Sequence, residues 1–264
     1  MKFLAARRRN PIVATLLLIG ALTVVGGGYA AIASIQPANA AITVGSETQV
    51  EAGKKLYLEG CSSCHGLAAQ GTETGPSLIG VGAAGVAFQV STGRMPLAAP
   101  GAQAPARDRA LYTDEETSQM AAYIASLAPG PAIPTAEQYD PTNADAALGG
   151  ELFRINCSQC HQAAGQGGAL TQGKYAPNLM QSRPKTIYMA MLTGPQNMPV
   201  FGDATLNSED KQHIIKYITT LQTLPNPGGL SLGRIGPVTE GVFLVTAVFA
   251  VLLAAAVWIG IKSR

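Results

Sequence analysis

The stretches Cys61-Ser62-Ser63-Cys64-His65 and Cys157-Ser158-Gln159-Cys160-His161 contain all four cysteines and two of the three histidines of this 264-residue chain. Each has the spacing Cys-x-x-Cys-His, at which c-type haem is attached to proteins. Two thiols on one turn add to the haem vinyl groups, and the adjacent imidazole reaches the iron. We therefore expect two covalently bound haems c. The attachment residues are Cys61, Cys64, Cys157 and Cys160, and the proximal iron ligands are His65 and His161.

The same cysteines allow three other interpretations. A disulfide framework has no need of a histidine after the second cysteine, and this chain has one twice. A thioredoxin-like motif belongs to a βαβ unit, and the sequence pattern contains none. A zinc site would need the two motifs to meet in one tetrahedral centre. Covalent haem is the interpretation that uses every residue of both motifs.

The middle of the chain is a tandem repeat of two units. Corresponding pairs include Gly53 and Gly149, Tyr57 and Phe153, Pro76 and Pro177, and Met95 and Met198. Near the end of each unit, apolar residues follow the spacing of one helix face. These residues are Met120, Tyr123, Ile124 and Leu127 in the first unit, and Ile214, Tyr217, Ile218 and Leu221 in the second. Each unit is therefore predicted to be small and all-α, with Tyr57 or Phe153 packed on its terminal helix.

The starts of the two terminal helices have capping residues. Thr113 followed by Glu116 predicts a capping box, and Asn207 or Ser208 can cap the second helix. His213 lies beside the apolar stripe of the second helix, and we expect it to be a surface histidine.

Each unit also has a methionine that suits the sixth coordination position of the iron. Met95 and Met198 each precede a proline in a glycine-rich loop. A thioether ligand opposite histidine raises the reduction potential, as a carrier in a high-potential chain requires. The alternative is that both methionines only pack against the haem ring. Other methionines are weaker candidates, since Met120 lies on a core helix face and Met189 and Met191 have no counterpart in the first unit.

The composition and charge distribution indicate a membrane protein. Only 13% of the residues are charged, against about 25% in soluble domains. The net charge of +2 does not suggest a nucleic-acid binder. Residues 11–35 and 241–261 carry no charge, and the second run is long enough for a membrane helix, with Trp258 near its end. Because both ends of the chain are basic, we expect 47–240 to lie outside the cytoplasm.

The N-terminal run has two possible fates. Arg7, Arg8 and Arg9 precede it, and Ala38-Asn39-Ala40 follows it, as in a cleaved signal peptide. Its length also suits a retained signal anchor. The protein is then multi-pass if residues 1–40 remain and single-pass if they are removed. The predicted segments are 1–40 signal or anchor, 47–128 domain 1, 129–147 proline-rich linker, 148–224 domain 2, 225–240 second linker, 241–261 transmembrane helix and 262–264 cytoplasmic tail.

Beyond the motifs, three stretches resemble one family, the cytochrome cc subunit of the actinobacterial cytochrome bcc complex, a menaquinol–cytochrome c reductase. These stretches are Gly75–Gly82, Phe88–Pro96 and Ala190–Pro199. The resemblance implies two tandem class I cytochrome c domains. It also implies one haem held by Cys61, Cys64, His65 and Met95, and another held by Cys157, Cys160, His161 and Met198. The implied partners are a cytochrome b subunit, a Rieske iron–sulfur subunit and a copper-containing terminal oxidase.

The expected function is that of an electron-transfer subunit of a quinol–cytochrome c oxidoreductase, a translocase, with no catalytic pocket of its own. Electrons would pass from the Rieske subunit through the two haems to the oxidase. One alternative is the dihaem subunit of a cbb-type oxidase. Another, from a different class, is a dihaem peroxidase. A peroxidase needs one open iron, and the paired Met-Pro loops argue against one.

Overall fold

The computed structural model describes residues 11–35, 45–99, 101–225 and 232–262. Within these ranges the regular structure is mostly helical, as predicted, with one short antiparallel hairpin. The helices are α1 Pro11–Ile35, α2 Glu47–Gly60, α3 Ser62–His65, α4 Gly82–Ser91, α5 Asp114–Leu127, α6 Ala136–Tyr139, α7 Ala146–Asn156, α8 Ser158–His161, α9 Pro184–Thr193, α10 Ser208–Thr223 and α11 Pro237–Lys262. The hairpin strands are β1 Gly168–Ala169 and β2 Tyr175–Ala176, and short 3-10 turns lie at Thr171–Gly173 and Leu232–Arg234.

Domain 1 is built on the crossing of α2 and α5. The helices approach so closely at Gly53 that a Cβ there would collide with the backbone of Gln119. One turn later, the ring centroids of Tyr57 and Tyr123 lie 5.3 Å apart. Tyr57 is almost fully buried in this core, which confirms its predicted packing on the terminal helix.

Domain 2 repeats the crossing with α7 and α10. A Cβ at Gly149 would collide with the backbone of His213. The ring centroids of Phe153 and Tyr217 are again 5.3 Å apart, and Phe153 is fully buried. The corresponding glycines and the corresponding aromatic residues therefore have the same two structural roles in both domains. Glycine allows close backbone approach, and the aromatic ring fills the space beside it.

Capping boxes start both terminal helices. At α5, the Thr113 N–H donates to the Glu116 carboxylate at 2.8 Å, and the Glu116 N–H donates to the Thr113 hydroxyl at 3.2 Å. At α10, Asn207 and Asp210 exchange the equivalent bonds at 3.0 and 2.9 Å. Both predicted caps are confirmed, and Asn207 rather than Ser208 is the cap residue of α10.

The two domains contact each other through α4 and α9. Their contact is an apolar cluster, hereafter the seam, made of Ala84, Ala87, Phe88 and Met189, with Ala190 and Leu192 at its border. Met189, which has no counterpart in the first unit, is thus explained by interdomain packing. The linker between the domains is packed as well: its Pro131 carbonyl accepts from the Ala84 N–H at 3.0 Å, and α6 lies against α10.

Among the described residues, two helices are long and apolar enough to cross a membrane. They contain the windows Pro11–Gly28 and Val238–Ile261, with mean hydropathies of 2.0 and 2.8, and neither is buried in the protein. α11 begins at Pro237, a few residues before the predicted span. Two features of the predicted signal segment lie outside the described residues. They are the basic residues Arg7, Arg8 and Arg9 and the predicted cleavage site at 38–40.

Candidate functional site

Each Cys-x-x-Cys-His motif is folded as one helical turn directly after a longer helix. Cys61 follows α2, and the His65 N–H donates to the Cys61 carbonyl at 3.0 Å. In domain 2 the His161 N–H donates to the Cys157 carbonyl at 2.9 Å. The turn places both thiols and the imidazole on one short segment, as covalent haem attachment requires. No disulfide joins any of the four cysteines, all of which lie within the described ranges.

The two histidine rings are oriented by backbone carbonyls. His65 Nδ1 lies 2.7 Å from the Pro76 carbonyl oxygen, and His161 Nδ1 lies 3.0 Å from the Pro177 carbonyl oxygen. A carbonyl accepts, so Nδ1 carries the proton and Nε2 is the nitrogen available to a metal. Pro76 and Pro177 are a corresponding pair in the repeat. The sequence therefore contained the signal for this contact, but their role was missed.

A glycine brings the following loop against each motif. A Cβ at Gly75 would lie 2.6 Å from the Cys64 carbonyl oxygen and 3.1 Å from His65 Nδ1. A Cβ at Gly168 would lie 3.1 Å from the Cys160 carbonyl oxygen. A side chain at Gly75 would push the loop away from the motif, whereas at Gly168 the nearest atom is the Gln162 amide nitrogen at 2.7 Å, on a flexible side chain. These glycines are functional residues that the sequence pattern did not single out.

The first cysteine of each motif is turned toward the core. Burial raises the pKa of the Cys157 thiol to about 12, and it also raises the pKa of Cys61; the second cysteine of each motif adds to the shift. Burial lowers the pKa of His161, which favours the neutral imidazole that binds metals. The inner side of each motif is therefore an apolar surface, suited to a porphyrin.

The structure brings the methionine and the first cysteine of each domain to the same apolar core. Cys61 and Met95 both pack against the core of domain 1, and Cys157 and Met198 both pack against the core of domain 2. The competing Met191 is almost fully buried inside domain 2. Ligation of iron by Met95 and Met198 stays a prediction, and their packing against the same core as the first cysteine of each motif supports it.

His213 is not a surface residue, contrary to the prediction. Its ring is largely buried, and its Nδ1 accepts from the Asp145 N–H at 2.8 Å at the start of α7. Its Nε2 lies 3.8 Å from the exposed Glu209 carboxylate. The prediction failed because His213 sits where α7 crosses α10, and a single helix pattern does not show where a neighbour crosses. Within the described ranges, no group of three or more His, Cys, Asp or Glu could hold a metal ion.

Known protein families match each of the two domains, and individual known proteins are similar to most of the chain. Residues 50–128 match the cytochrome c family, and residues 144–218 match the family of cytochrome c oxidase, cbb3-type, subunit III. The cytochrome bc1 complex cytochrome c subunit of Corynebacterium efficiens is 46% identical over 228 residues, covering 80% of this chain and 76% of that protein. The subunit of the same name from Mycobacterium leprae is 42% identical over 254 residues, covering 94% and 87%. That from Mycobacterium tuberculosis is 41% identical over 264 residues, covering 97% and 93%. The prediction of two cytochrome c domains is confirmed.

Proposed function

The chain belongs to the family of cytochrome c subunits of the cytochrome bc1 complex, and from this premise we propose that it carries two haems c. It is an electron-transfer subunit of that complex. We propose more specifically that electrons reach it from a Rieske iron–sulfur subunit and leave it for a copper-containing terminal oxidase. Quinol oxidation takes place in other subunits, cytochrome b among them, so the chain needs no catalytic pocket of its own.

One observation carries the two-haem proposal: the complete motif and its histidine–proline contact occur in both domains. The donor set fits haem c, with two thiols for the vinyl groups, one imidazole with a free Nε2, and one thioether. The first haem would be held by Cys61, Cys64, His65 and Met95, and the second by Cys157, Cys160, His161 and Met198. When bound, each haem supplies an iron that exchanges a single electron.

The polypeptide contributes orientation and electrostatics. The Pro76 and Pro177 carbonyls hold the imidazole rings, and a hydrogen-bonded Nδ1 raises the basicity of the metal-binding nitrogen. The apolar cores behind Cys61 and Cys157 lower the dielectric constant around the site. The thioether of Met95 or Met198 would favour ferrous iron and a high potential.

The two domains differ in net charge, which supports different docking partners. Domain 1 has eight acidic and five basic residues, a net charge of −3, whereas domain 2 has four acidic and six basic residues, a net charge of +2. Opposite charges steer two domains toward different surfaces and suppress the wrong encounter. We propose that domain 1 receives electrons from the Rieske subunit and domain 2 delivers them to the oxidase, which is the order implied by the family resemblance.

The apolar helices suggest how the domains are held at the membrane. α11 has the length and composition of a membrane span, and α1 has the same properties near the N-terminus. We propose that α11 spans the membrane with its C-terminus in the cytoplasm and with 47–240 on the outer face. A retained α1 would make the chain multi-pass.

Haem counting tests the proposal. The purified complex should contain two haems c per copy of this chain in a pyridine haemochrome assay, and the denatured chain should retain haem on a gel. Cys61→Ser and Cys157→Ser should each remove one haem and leave the other. A count near one per chain in the wild type would contradict the two-haem function.

A further inference from the structure

A single side chain of domain 1 pairs with both backbone groups of a residue in domain 2. Gln103 Nε2 donates to the Tyr175 carbonyl at 2.8 Å, and the Tyr175 N–H donates to Gln103 Oε1 at 2.7 Å. Tyr175 belongs to β2, and β1 pairs along one edge of that strand. The Gln103 amide satisfies the backbone of the other edge, as an added strand would.

A second bond joins the same places. Gln196 Nε2, in domain 2, donates to the Ala104 carbonyl at 3.0 Å, and Ala104 is buried. Gln196 has φ 59°, a left-handed conformation that is unfavourable for a residue with a side chain and persists where contacts hold it. Three hydrogen bonds therefore fasten residues 103–104 to domain 2, alongside the apolar seam of α4 and α9.

The two bonds between Gln103 and Tyr175 join segments that depart from the repeat. Domain 1 has a long connection from its Met-Pro pair to its last helix, residues 97–112, where domain 2 has only 200–206. Domain 2 has a long connection, residues 162–176, from its motif to Pro177, the proline whose carbonyl orients the histidine. The corresponding connection of domain 1, which ends before Pro76, is only residues 66–75. Gln103 lies in the first insertion and Tyr175 in the second. Two insertions that break the symmetry of the repeat thus meet each other.

Both insertions lead directly to the residues predicted to ligate iron. Tyr175 is two residues before Pro177, whose carbonyl orients His161, and Gln196 is two residues before Met198. On the other side, Arg107 donates to the Pro96 carbonyl at 3.1 Å, beside Met95. A displacement between the domains would therefore change the distance between the predicted iron ligands of domain 1 and those of domain 2.

A cation at the seam adds to this contact. The Arg94 guanidinium, next to Met95, lies 4.9 Å from the centre of the Phe88 ring, a seam residue. Burial lowers its pKa, and an electrostatic interaction with the Tyr175 phenol opposes that shift. Arg94 thus joins the Met95 loop to the seam.

We propose that Gln103 is a positioning residue for electron transfer between the two domains. Its pair of bonds to Tyr175 holds the Met95 loop of domain 1 against the His161 loop of domain 2, so that the separation of the two haems stays fixed. This proposal rests on the proposed two-haem function. Gln103 does not touch the predicted iron ligands. Its loss should therefore leave each haem site intact and change only the separation between the two haems.

The test compares Gln103→Leu with the matched control Gln222→Leu in the full-length protein. Gln222 Nε2 also donates two bonds, to the Leu179 and Ser182 carbonyls, but both lie inside domain 2. Electron equilibration between the haems is followed after photochemical injection of one electron, and hydrogen exchange of α4 and α9 amides reports the seam. Gln103→Leu should slow equilibration by up to about tenfold, because losing two hydrogen bonds worth about 1.4 kcal/mol lowers the equilibrium constant for the docked arrangement of the domains by that factor.

Further measurements distinguish a change in domain arrangement from a loss of stability or a disturbed haem site. Gln103→Leu should speed exchange at the seam, whereas both midpoint potentials and the absorption spectrum should match the wild type. Gln103→Glu, which keeps the acceptor for the Tyr175 N–H but loses the donor, should give an intermediate rate. Gln222→Leu should leave equilibration and seam exchange unchanged.

The outcomes are distinct. Equilibration in Gln103→Leu as fast as in the wild type would overturn the proposal, whether or not seam exchange rises. Equal slowing in Gln222→Leu would also overturn it, because the effect would then follow from lost stability. A wild-type chain with one haem would instead refute the proposed function, and the proposal would fall with it.

Discussion

Domain 1 and domain 2 share a frame but differ in what surrounds it. In both, a glycine at a helix crossing, an aromatic ring one turn later and a proline carbonyl on the histidine recur at corresponding positions. Around that frame, His161 is buried whereas His65 is partly exposed. The residues proposed to attach haem are therefore the same in both domains, whereas the surroundings of the two histidines differ.

The loop after the methionine shows the difference most clearly. In domain 2, Lys211 is fully buried on α10, and its ammonium contacts the Asp203 carboxylate at 3.1 Å and the Leu206 carbonyl at 2.7 Å. These contacts fasten the segment that follows Met198. The corresponding residue of domain 1 is Thr117, whose buried hydroxyl oxygen has no hydrogen-bond partner among the described residues. Domain 2 thus has a fastened loop where domain 1 has an unsatisfied polar atom.

The largest expected effect comes from exchanging the proposed distal ligands. Met198→His should lower the potential of the second haem by about 0.2 V, since axial ligands span roughly 0.8 V in haem proteins. Met95→His should act equally on the first haem. Redox titration of each variant gives the shift, and Met189→Leu, a seam residue away from the predicted ligands, is the control. Unchanged potentials and near-infrared spectra would show that these methionines do not bind iron.

The next effect tests whether the two crossings are equivalent. Gly53→Ala and Gly149→Ala should each destabilise their own domain by about 3 kcal/mol, because the new Cβ meets backbone that can move only with its helix. Thermal denaturation followed by circular dichroism measures the loss. Gly202→Ala, with no atom within 4 Å of the added carbon, is the control. A loss in only one of the two domains would break the equivalence.

A smaller effect tests the asymmetry of the loops. Lys211→Met should destabilise domain 2 by about 2 kcal/mol, because the Leu206 carbonyl and Asp203 lose their partner. Thr117→Val should stabilise domain 1 by about 1 kcal/mol, since it removes a buried hydroxyl without a partner. Denaturant unfolding measures both. If the two substitutions change stability in the same direction, the contrast between Lys211 and Thr117 is wrong.

The smallest effect concerns the caps. Thr113→Ala and Asn207→Ala should each cost about 1 kcal/mol. Bonds from the Thr113 backbone and hydroxyl lower the pKa of Glu116 below its ordinary value, so its contribution is present at neutral pH. That contribution should be lost as the pH falls from the ordinary glutamate value through the lowered one. Acid titration of wild type and Thr113→Ala compares the two profiles, and identical profiles would exclude a role for this cap.

Much of each domain could be predicted because the signals are local. The haem motifs, the helix stripe ending at Leu127 or Leu221 and the capping boxes each lie within a few residues of one another. The orientation of His65 by Pro76 was within reach, because that proline recurs in the repeat, but its role depends on a loop returning to the motif. Whether Met95 and Met198 bind iron stays a prediction.

The features that were missed depend on contacts between distant segments. His213 is buried because another helix crosses at that position, and Met189 is apolar because it faces the other domain. The hairpin of β1 and β2 is too short to give an alternating pattern, and Gln103 acts through a partner in the other domain. None of these has a periodicity that a single segment could reveal.

In the proposed relay, electrons pass from domain 1 through domain 2 to the oxidase, and oxygen uptake by the intact assembly tests this order. The isolated complex with its oxidase is mixed with a menaquinol analogue and oxygen while haem absorbance and oxygen uptake are recorded. In Cys157→Ser, the haem of domain 1 should still become reduced, whereas oxygen uptake should stop. If that haem stays oxidised, or if oxygen uptake continues at the wild-type rate, the relay is contradicted.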